Sequence, residues 1–322
     1  MNVSVIIPAF NCEATIRITL ESALRQTAPP YEILAMDDGS TDATPSILKE
    51  YKGRVVTFRQ PNAGVGSALS GLCRRVRGDV VAVLGSDDVW HPRYLEIQQK
   101  LIQEHPGAVA YFTGHVNFTG GPEYEWRSDP LDAPATLRLI PPRDFLCEYN
   151  KAPGPFACMS HCCVPARALR EIGQEPFKLR MAEDLYFFNR LAPLGPVLYA
   201  SIPLVAYRIR AGSLSADRLL LAESEVRAFE LLEEHYRRIT DRKVSRVFHQ
   251  AFAVKRRLYS KFLMGEHHES QARRQLACSL SASCSPASLV KSIGLLLPTC
   301  LPTQLQPTWP ASRRDLRVGA NC

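Results

Sequence analysis

Residues 81–92 read VAVLGSDDVWHP. Val81 to Leu84 form an apolar run with no polar alternation, the mark of a strand covered on both faces. The run ends in Gly85, Ser86 and two adjacent carboxylates, Asp87 and Asp88. Upstream the same pattern recurs three times, in VSVIIPAF (3–10), YEILAMDD (31–38) and RVVTFRQ (54–60). The segments between these runs have helical spacing. Ile16, Leu20, Ala23 and Leu24 share one face, STDATPSILKEY (40–51) opens on capping residues, and VGSALSGLCRRV (65–76) continues as a helix. Strands alternating with helices, each strand apolar throughout, predict a parallel sheet covered by helices on both sides.

In such sheets ligands bind beyond the carboxyl ends of the strands. Polar residues gather at that edge. The first strand ends in Pro8-Ala9-Phe10-Asn11, the second in Asp37-Asp38-Gly39-Ser40, the third near Gln60-Pro61-Asn62-Ala63-Gly64, and the fourth in Asp87-Asp88. Acids converging on one cleft repel one another unless cations or hydrogen-bond donors offset them. A divalent cation would do so and would also accept phosphate oxygens. Asn62-Ala63-Gly64-Val65-Gly66 follows the third strand and lacks the full glycine spacing of a dinucleotide fingerprint.

The remaining chain is less regular. GAVAYFTGHVNF (107–118) reads as strand, 151–173 as loop, strand and helix, RMAEDLYFFNRLAPLG (180–195) as a helix, and 196–210 as extended chain. From 216 to about 280 the pattern is that of two or three amphipathic helices, and 298–322 is rich in Pro, Thr and Gln, a composition expected to be loosely ordered. The expected organisation is a catalytic domain over 1–215, a helical extension over 216–297 and a tail over 298–322. With 322 residues, 46% hydrophobic and 22% charged, the composition is that of a globular protein. A net charge of +7 is a mild bias that admits anionic substrates or an anionic lipid surface, with no nucleic-acid partner expected. No signal peptide or spanning segment is read in the sequence, so a cytoplasmic location is expected, with peripheral contact at the inner face of the membrane through basic helices near 255–257 and 273–274 as one option. The ten cysteines are irregularly spaced, and CMSHCC (158–163) lacks paired zinc-ligand spacing, so packed thiols are expected.

Taken in order, these motifs resemble the inverting family 2 nucleotide-sugar glycosyltransferases of the GT-A fold. The resemblance runs from residue 3 to about 215. It rests on the opening strand and helix, on EILAMDDGSTDAT, on QPNAGVGSALSGL, on VAVLGSDDVWHP as the DXD-like region, on the acidic pair in RMAEDLYFFNRL, and on IPLVAYRIRAGSLS. It implies transfer of a sugar, UDP-linked by expectation, to a glycan or lipid-linked acceptor during cell-surface polysaccharide synthesis, with Mg²⁺ or Mn²⁺ as cofactor. By resemblance Asp184 is the base that takes the acceptor proton, with Glu183 in support. Asp87 and Asp88 hold the metal against the donor's diphosphate. Pro8, Ala9, Phe10, Asn11, Glu13, Asp38, Asn62, Gly64, Ser86 and Asp87 line the nucleotide site.

Alternatives accompany these roles. Phe10 either stacks on the base or joins the core. Asp87 and Asp88 could instead face the dipole of the following helix. Relatives often carry Asp where this chain has Gly85, Ala-Arg-Asn where it has Ala68-Leu69-Ser70, and His where it has Arg210. Those departures leave a catalytically inactive nucleotide-sugar-binding protein as the competing expectation. A sugar-phosphate nucleotidyltransferase would need a glycine-rich basic loop after the first strand, which the sequence lacks.

Overall fold

A computed structural model of the chain describes residues 1–282, apart from 122, 127–128, 133–134, 152–155, 157, 174–176, 211–216 and 267. The chain divides into two compact units, Met1–Ser245 and Arg246–Cys322. The expected tail over 298–322 lies outside the described residues.

The first unit is built on one sheet. Its opening half is β1 (Val3–Ala9), α1 (Ile16–Leu24), β2 (Glu32–Asp37), α2 (Thr44–Glu50), β3 (Val56–Arg59), α3 (Val65–Cys73) and β4 (Val80–Val83). The four strands run parallel, with β1 flanked by β2 and β4, and β3 beyond β2. Every residue of β2 and β4 is buried, which is why their sequences show no alternation. Helix α1 buries Ile16, Thr19, Leu20 and Ala23. Removing the Ile16 and Leu20 side chains from water contributes about 1.5–3 kcal/mol each.

Beyond β4 come β5 (Val89–Trp90), α4 (Tyr94–Glu104), β6 (Ala110–Phe118), β7 (Leu137–Ile140), α5 (Pro142–Tyr149), β8 (Cys162–Pro165), α6 (Ala166–Ile172), α7 (Glu183–Leu191) and β9 (Val197–Arg208). The sheet order is β3-β2-β1-β4-β8-β6-β9-β5, with β7 pairing β9. The expected parallel arrangement holds through β4. In the second half β8 is antiparallel to β4 and β6, and β5 and β7 are antiparallel to β9, while β6 and β9 run parallel. Strand β5 is two residues long, too short to leave a periodic signal, and it forms directly after Asp88. Helix α8 (Arg218–Arg237) closes the unit, with the Tyr236 hydroxyl donating to the Asn189 carbonyl at 2.6 Å.

The second unit contains most of α9 (Arg242–Gly265) and α10 (Glu269–Ala282). Ser260 donates to the Ala272 carbonyl at 3.0 Å and ties the two helices together. Lys255, one of the basic residues considered for lipid contact, is 7% exposed and so turned inward. No helix among the described residues is long and apolar enough to cross a membrane.

Candidate active site

Strand order reverses direction at β1: β2 and β3 extend to one side, β4 to the other. The crevice outside the carboxyl ends of β1 and β4 is therefore the topological switch point, where open α/β sheets place ligands. Phe10 and Asn11 leave β1 on one side of it, and Gly85 to Asp88 leave β4 on the other.

The loop after β1 is clamped to the loop after β2. Asn11 takes a left-handed φ of 45°. Its N–H donates to Ser40 Oγ at 3.0 Å, and its Oδ1 accepts from the Thr41 N–H at 2.9 Å. Glu13 accepts from the Ala43 N–H at 2.7 Å, and its own N–H donates to Asp42 at 3.0 Å. Asp42 also accepts from the Thr44 N–H at 2.9 Å, the first-turn capping role its position suggests. The Ala9 carbonyl accepts from the Asp38 N–H at 2.8 Å, and Pro8 stands opposite Met36 in the β1–β2 register. With both loops held, Phe10 is left 46% exposed at the strand end, outside the core.

Asp38 does not present its carboxylate to the cleft in the way the sequence suggests. It is 3% exposed. One oxygen accepts from Gln60 Nε2 at 2.7 Å and the Ala63 N–H at 2.9 Å, the other from the Gly64 N–H at 2.8 Å. A carboxylate so engaged fixes the 60–64 turn and leaves little for a base N–H. Gly64 sits at φ +91°, and a Cβ there would fall within 2.3 Å of Arg180 Cγ. Arg180 in turn donates to Asn62 Oδ1. The segment before α7 is thereby pressed onto the turn after β3.

Helix α7 begins at Glu183, and Ala182 before it takes a left-handed φ of 58°, which is costly for a residue with a Cβ. The strained step delivers Glu183 and Asp184 in succession at the helix N-terminus. Both acids are deeply surrounded by protein but keep a partial opening to solvent. Burial, and then the neighbouring Asp184, push the Glu183 carboxyl up to about 8. Burial also raises Asp184, opposed by the Leu185 N–H at 2.8 Å and the Tyr149 hydroxyl. Burial and the adjacent charge favour the protonated form of Glu183, while the Leu185 N–H and the Tyr149 hydroxyl favour the ionised form of Asp184 against the burial that raises it. Tyr207 lies within the electrostatic reach of both acid pairs: its hydroxyl is raised to about 12, chiefly by burial, with Cys158, Asp88, Asp87 and Asp184 adding to the rise.

Asp87 and Asp88 diverge. Asp88 is 2% exposed. Its Oδ1 accepts from the Arg208 N–H at 3.0 Å, and its Oδ2 accepts from Ser160 Oγ at 2.5 Å and Cys158 Sγ at 3.4 Å. Burial, and next Asp87, raise its carboxyl to about 7. Ser160 also accepts from the Gly85 N–H at 2.9 Å, and a Cβ on Gly85 would lie 3.1 Å from that hydroxyl and 3.0 Å from Asp88 Oδ2. Asp88 is thus the buckle that joins the β4 turn, β9 and the 158–160 segment. Asp87 points outward, its side chain 20% exposed, with Oδ2 3.0 Å from Arg210 Nε. The Asp87 carbonyl accepts from Arg208 Nε at 2.8 Å, and that of Ser86 from Thr15 Oγ1 at 2.9 Å.

The two-carboxylate metal site expected at Asp87 and Asp88 therefore fits these residues poorly. One acid has both oxygens engaged by protein donors, and the other is ion-paired. Among the described residues no three His, Cys, Asp or Glu side chains gather to hold a metal ion. The sequence assigned no role to Ser160 or Cys158, nor to Tyr149 or Arg180; the CMSHCC run was the available signal for the first two, read only as packed thiols. The cysteines among the described residues are all unbridged; Cys12, Cys158, Cys162 and Cys163 are buried, and Cys278 is exposed.

The profile of Glycosyl transferase family 2 matches residues 4–173, more than half the chain. Glycosyltransferase GlyA of Streptococcus pneumoniae is 30% identical over 229 residues, 66% of this chain and 31% of GlyA. Chondroitin synthase of Escherichia coli is 43% identical over 98 residues, 30% of this chain and 14% of that protein. The chain thus spans less than a third of either curated relative. Among solved structures, S. aureus TarS 1–349 in complex with UDP-GlcNAc superposes with a TM-score of 0.67 at 17% identity, covering 88% of this chain and 81% of TarS. The shared architecture is the GT-A fold. On the profile match and this fold, the chain belongs to glycosyl transferase family 2.

Proposed function

We propose that the chain transfers a sugar from a nucleotide-sugar donor, UDP-linked, to a glycan or lipid-linked acceptor with inversion at the anomeric carbon. The observation that carries this reading is the Glu183–Asp184 pair, two adjacent acids in the first turn of α7, with Asp184 Oδ1 accepting from the Leu185 N–H at 2.8 Å. Inversion needs one ionised carboxylate facing the acceptor and no covalent intermediate. Asp184 takes the proton of the acceptor hydroxyl as its oxygen attacks the anomeric carbon. The bond from that carbon to the diphosphate breaks, and the nucleoside diphosphate departs with the electron pair. Glu183, still protonated, keeps a second negative charge away from the approaching donor.

The nucleotide lies across the carboxyl ends of β1 and β4. Phe10 offers the exposed face on which the base stacks, and Asn11, Glu13 and Ser86 border the ribose. Asn62 and Gly64, in the turn held by Asp38, form the wall beyond. Pro8 and Ala9 contribute backbone at the crevice floor. TarS in complex with UDP-GlcNAc and the polymer-forming chondroitin synthase support a UDP-sugar and a polysaccharide product.

Asp184→Asn tests the reading. With UDP-sugars as donors, the substitution lowers kcat by about 10²- to 10⁴-fold while UDP affinity is retained. Turnover unchanged by the substitution refutes it, and nucleotide binding with no turnover in the unaltered protein identifies a binding protein instead.

A further inference from the structure

The ion pair at Asp87 has a consequence for the donor's diphosphate. Asp87 is the outward-facing acid of the β4 turn, and its Oδ2 is held by Arg210 Nε at 3.0 Å. Arg208 approaches the same turn from β9, donating from Nε to the Asp87 carbonyl at 2.8 Å and from its N–H to Asp88 Oδ1 at 3.0 Å. Two guanidinium groups thus converge on a turn with one exposed carboxylate. A divalent cation ligated by Asp87 would have to displace Arg210 and then lie beside both positive charges. Among the described residues it would find no second open carboxylate on this turn, because Asp88 is turned inward onto Ser160, Cys158 and the β9 backbone. Position 85, where another ligand could stand, is glycine, and a Cβ there would crowd the Ser160 hydroxyl and Asp88 Oδ2.

Arg208 and Arg210 differ in freedom. The Arg208 guanidinium lies over the Phe118 ring at 4.4 Å and donates to the Gly120 and Gly121 carbonyls, so its direction is set. The Arg210 side chain is 47% exposed and engages Asp87 through Nε, beside the turn that leaves β4 at the switch point. A guanidinium oriented by a carboxylate at Nε is well suited to donate two parallel N–H bonds to a phosphate.

We propose that Arg210, aimed by Asp87, supplies the positive charge that neutralises the donor's diphosphate, and that this chain binds its nucleotide without a divalent cation. The inference rests on the nucleotide-sugar reading above. Asp87 then serves as a positioning residue for Arg210. When the donor breaks down, the negative charge that develops on the departing diphosphate is met by a fixed guanidinium.

The test is calorimetric titration of the full chain with UDP, GDP and dTDP, in EDTA and in Mn²⁺. The chain binds one nucleoside diphosphate in EDTA, with an affinity within about twofold of that in Mn²⁺. Arg210→Ala, with an unchanged circular dichroism spectrum, loses about tenfold to about hundredfold in affinity in both buffers. Arg210→Lys recovers part of that loss, since the charge returns without the fork. Binding that EDTA abolishes and Mn²⁺ restores overturns the inference, as does an Arg210→Ala protein that binds like the unaltered one in EDTA. Failure of all three nucleotides in both buffers overturns the nucleotide-sugar reading itself.

Discussion

Glu183→Gln separates a buried proton from a surface charge. The Glu183 carboxyl, ordinarily near 4.5, is pushed up to about 8 by burial and by Asp184. The folded protein therefore binds this proton more tightly than the unfolded chain, and stability falls as pH rises from the unfolded value through about 8. Below both values the group contributes no difference; above both, the full cost of a buried charge is present. Each pKa unit corresponds to about 1.4 kcal/mol, and the partial opening of Glu183 to solvent reduces the total to about 2–3 kcal/mol. Glutamine keeps the shape of the protonated acid and cannot ionise. In thermal denaturation the variant matches the unaltered protein near about pH 4 and gains roughly 5–10 °C over it at about pH 9, for a unit of this size. The gain grows through the interval between the two ionisations and then levels. A Tm difference that stays flat with pH, or that shrinks toward alkaline pH, would falsify the account of Glu183 as the protonated member of the pair.

Ser160→Ala removes the hydroxyl that serves both Asp88 Oδ2 and the Gly85 N–H, leaving two buried polar atoms short of a partner. Denaturant unfolding then shows a loss of about 1–3 kcal/mol; a loss within error contradicts the role of Asp88 as the link between the β4 turn and the 158–160 segment. Phe10→Ala deletes the exposed ring at the end of β1 and weakens nucleoside diphosphate binding about three- to tenfold, with stability nearly unchanged because the ring is outside the core. A fall in stability without a change in affinity would return Phe10 to the packing role.

The second-half strands show where local sequence stops being informative. Runs such as VSVIIPAF and EILAMD are apolar because both faces of β1 and β2 are covered, and that burial is written into each segment on its own. Strand β5 is different: Val89 and Trp90 extend because β9, more than a hundred residues later, offers Ala206 and Val205 as partners. The same distance separates Asp88 from the Arg208 N–H, and Asp87 from Arg210. A doublet of acids at a strand end looks symmetrical in sequence, whereas in space one faces a serine and a backbone N–H and the other faces an arginine.

Sequence alone determined the alternating strands and helices, the edge of the sheet where polar residues collect, and the acidic pair that opens α7, since periodicity and chain order are local properties. Tertiary structure decided what each acid does there: Asp38 secures a turn, Asp88 buckles two halves of a sheet, Asp87 holds an arginine, and burial raises Glu183 while the Leu185 N–H meets Asp184. The ionisation and availability of a carboxylate depend on the donors and charges within a few ångströms of it, and here those neighbours are brought in by strand pairing from distant parts of the chain.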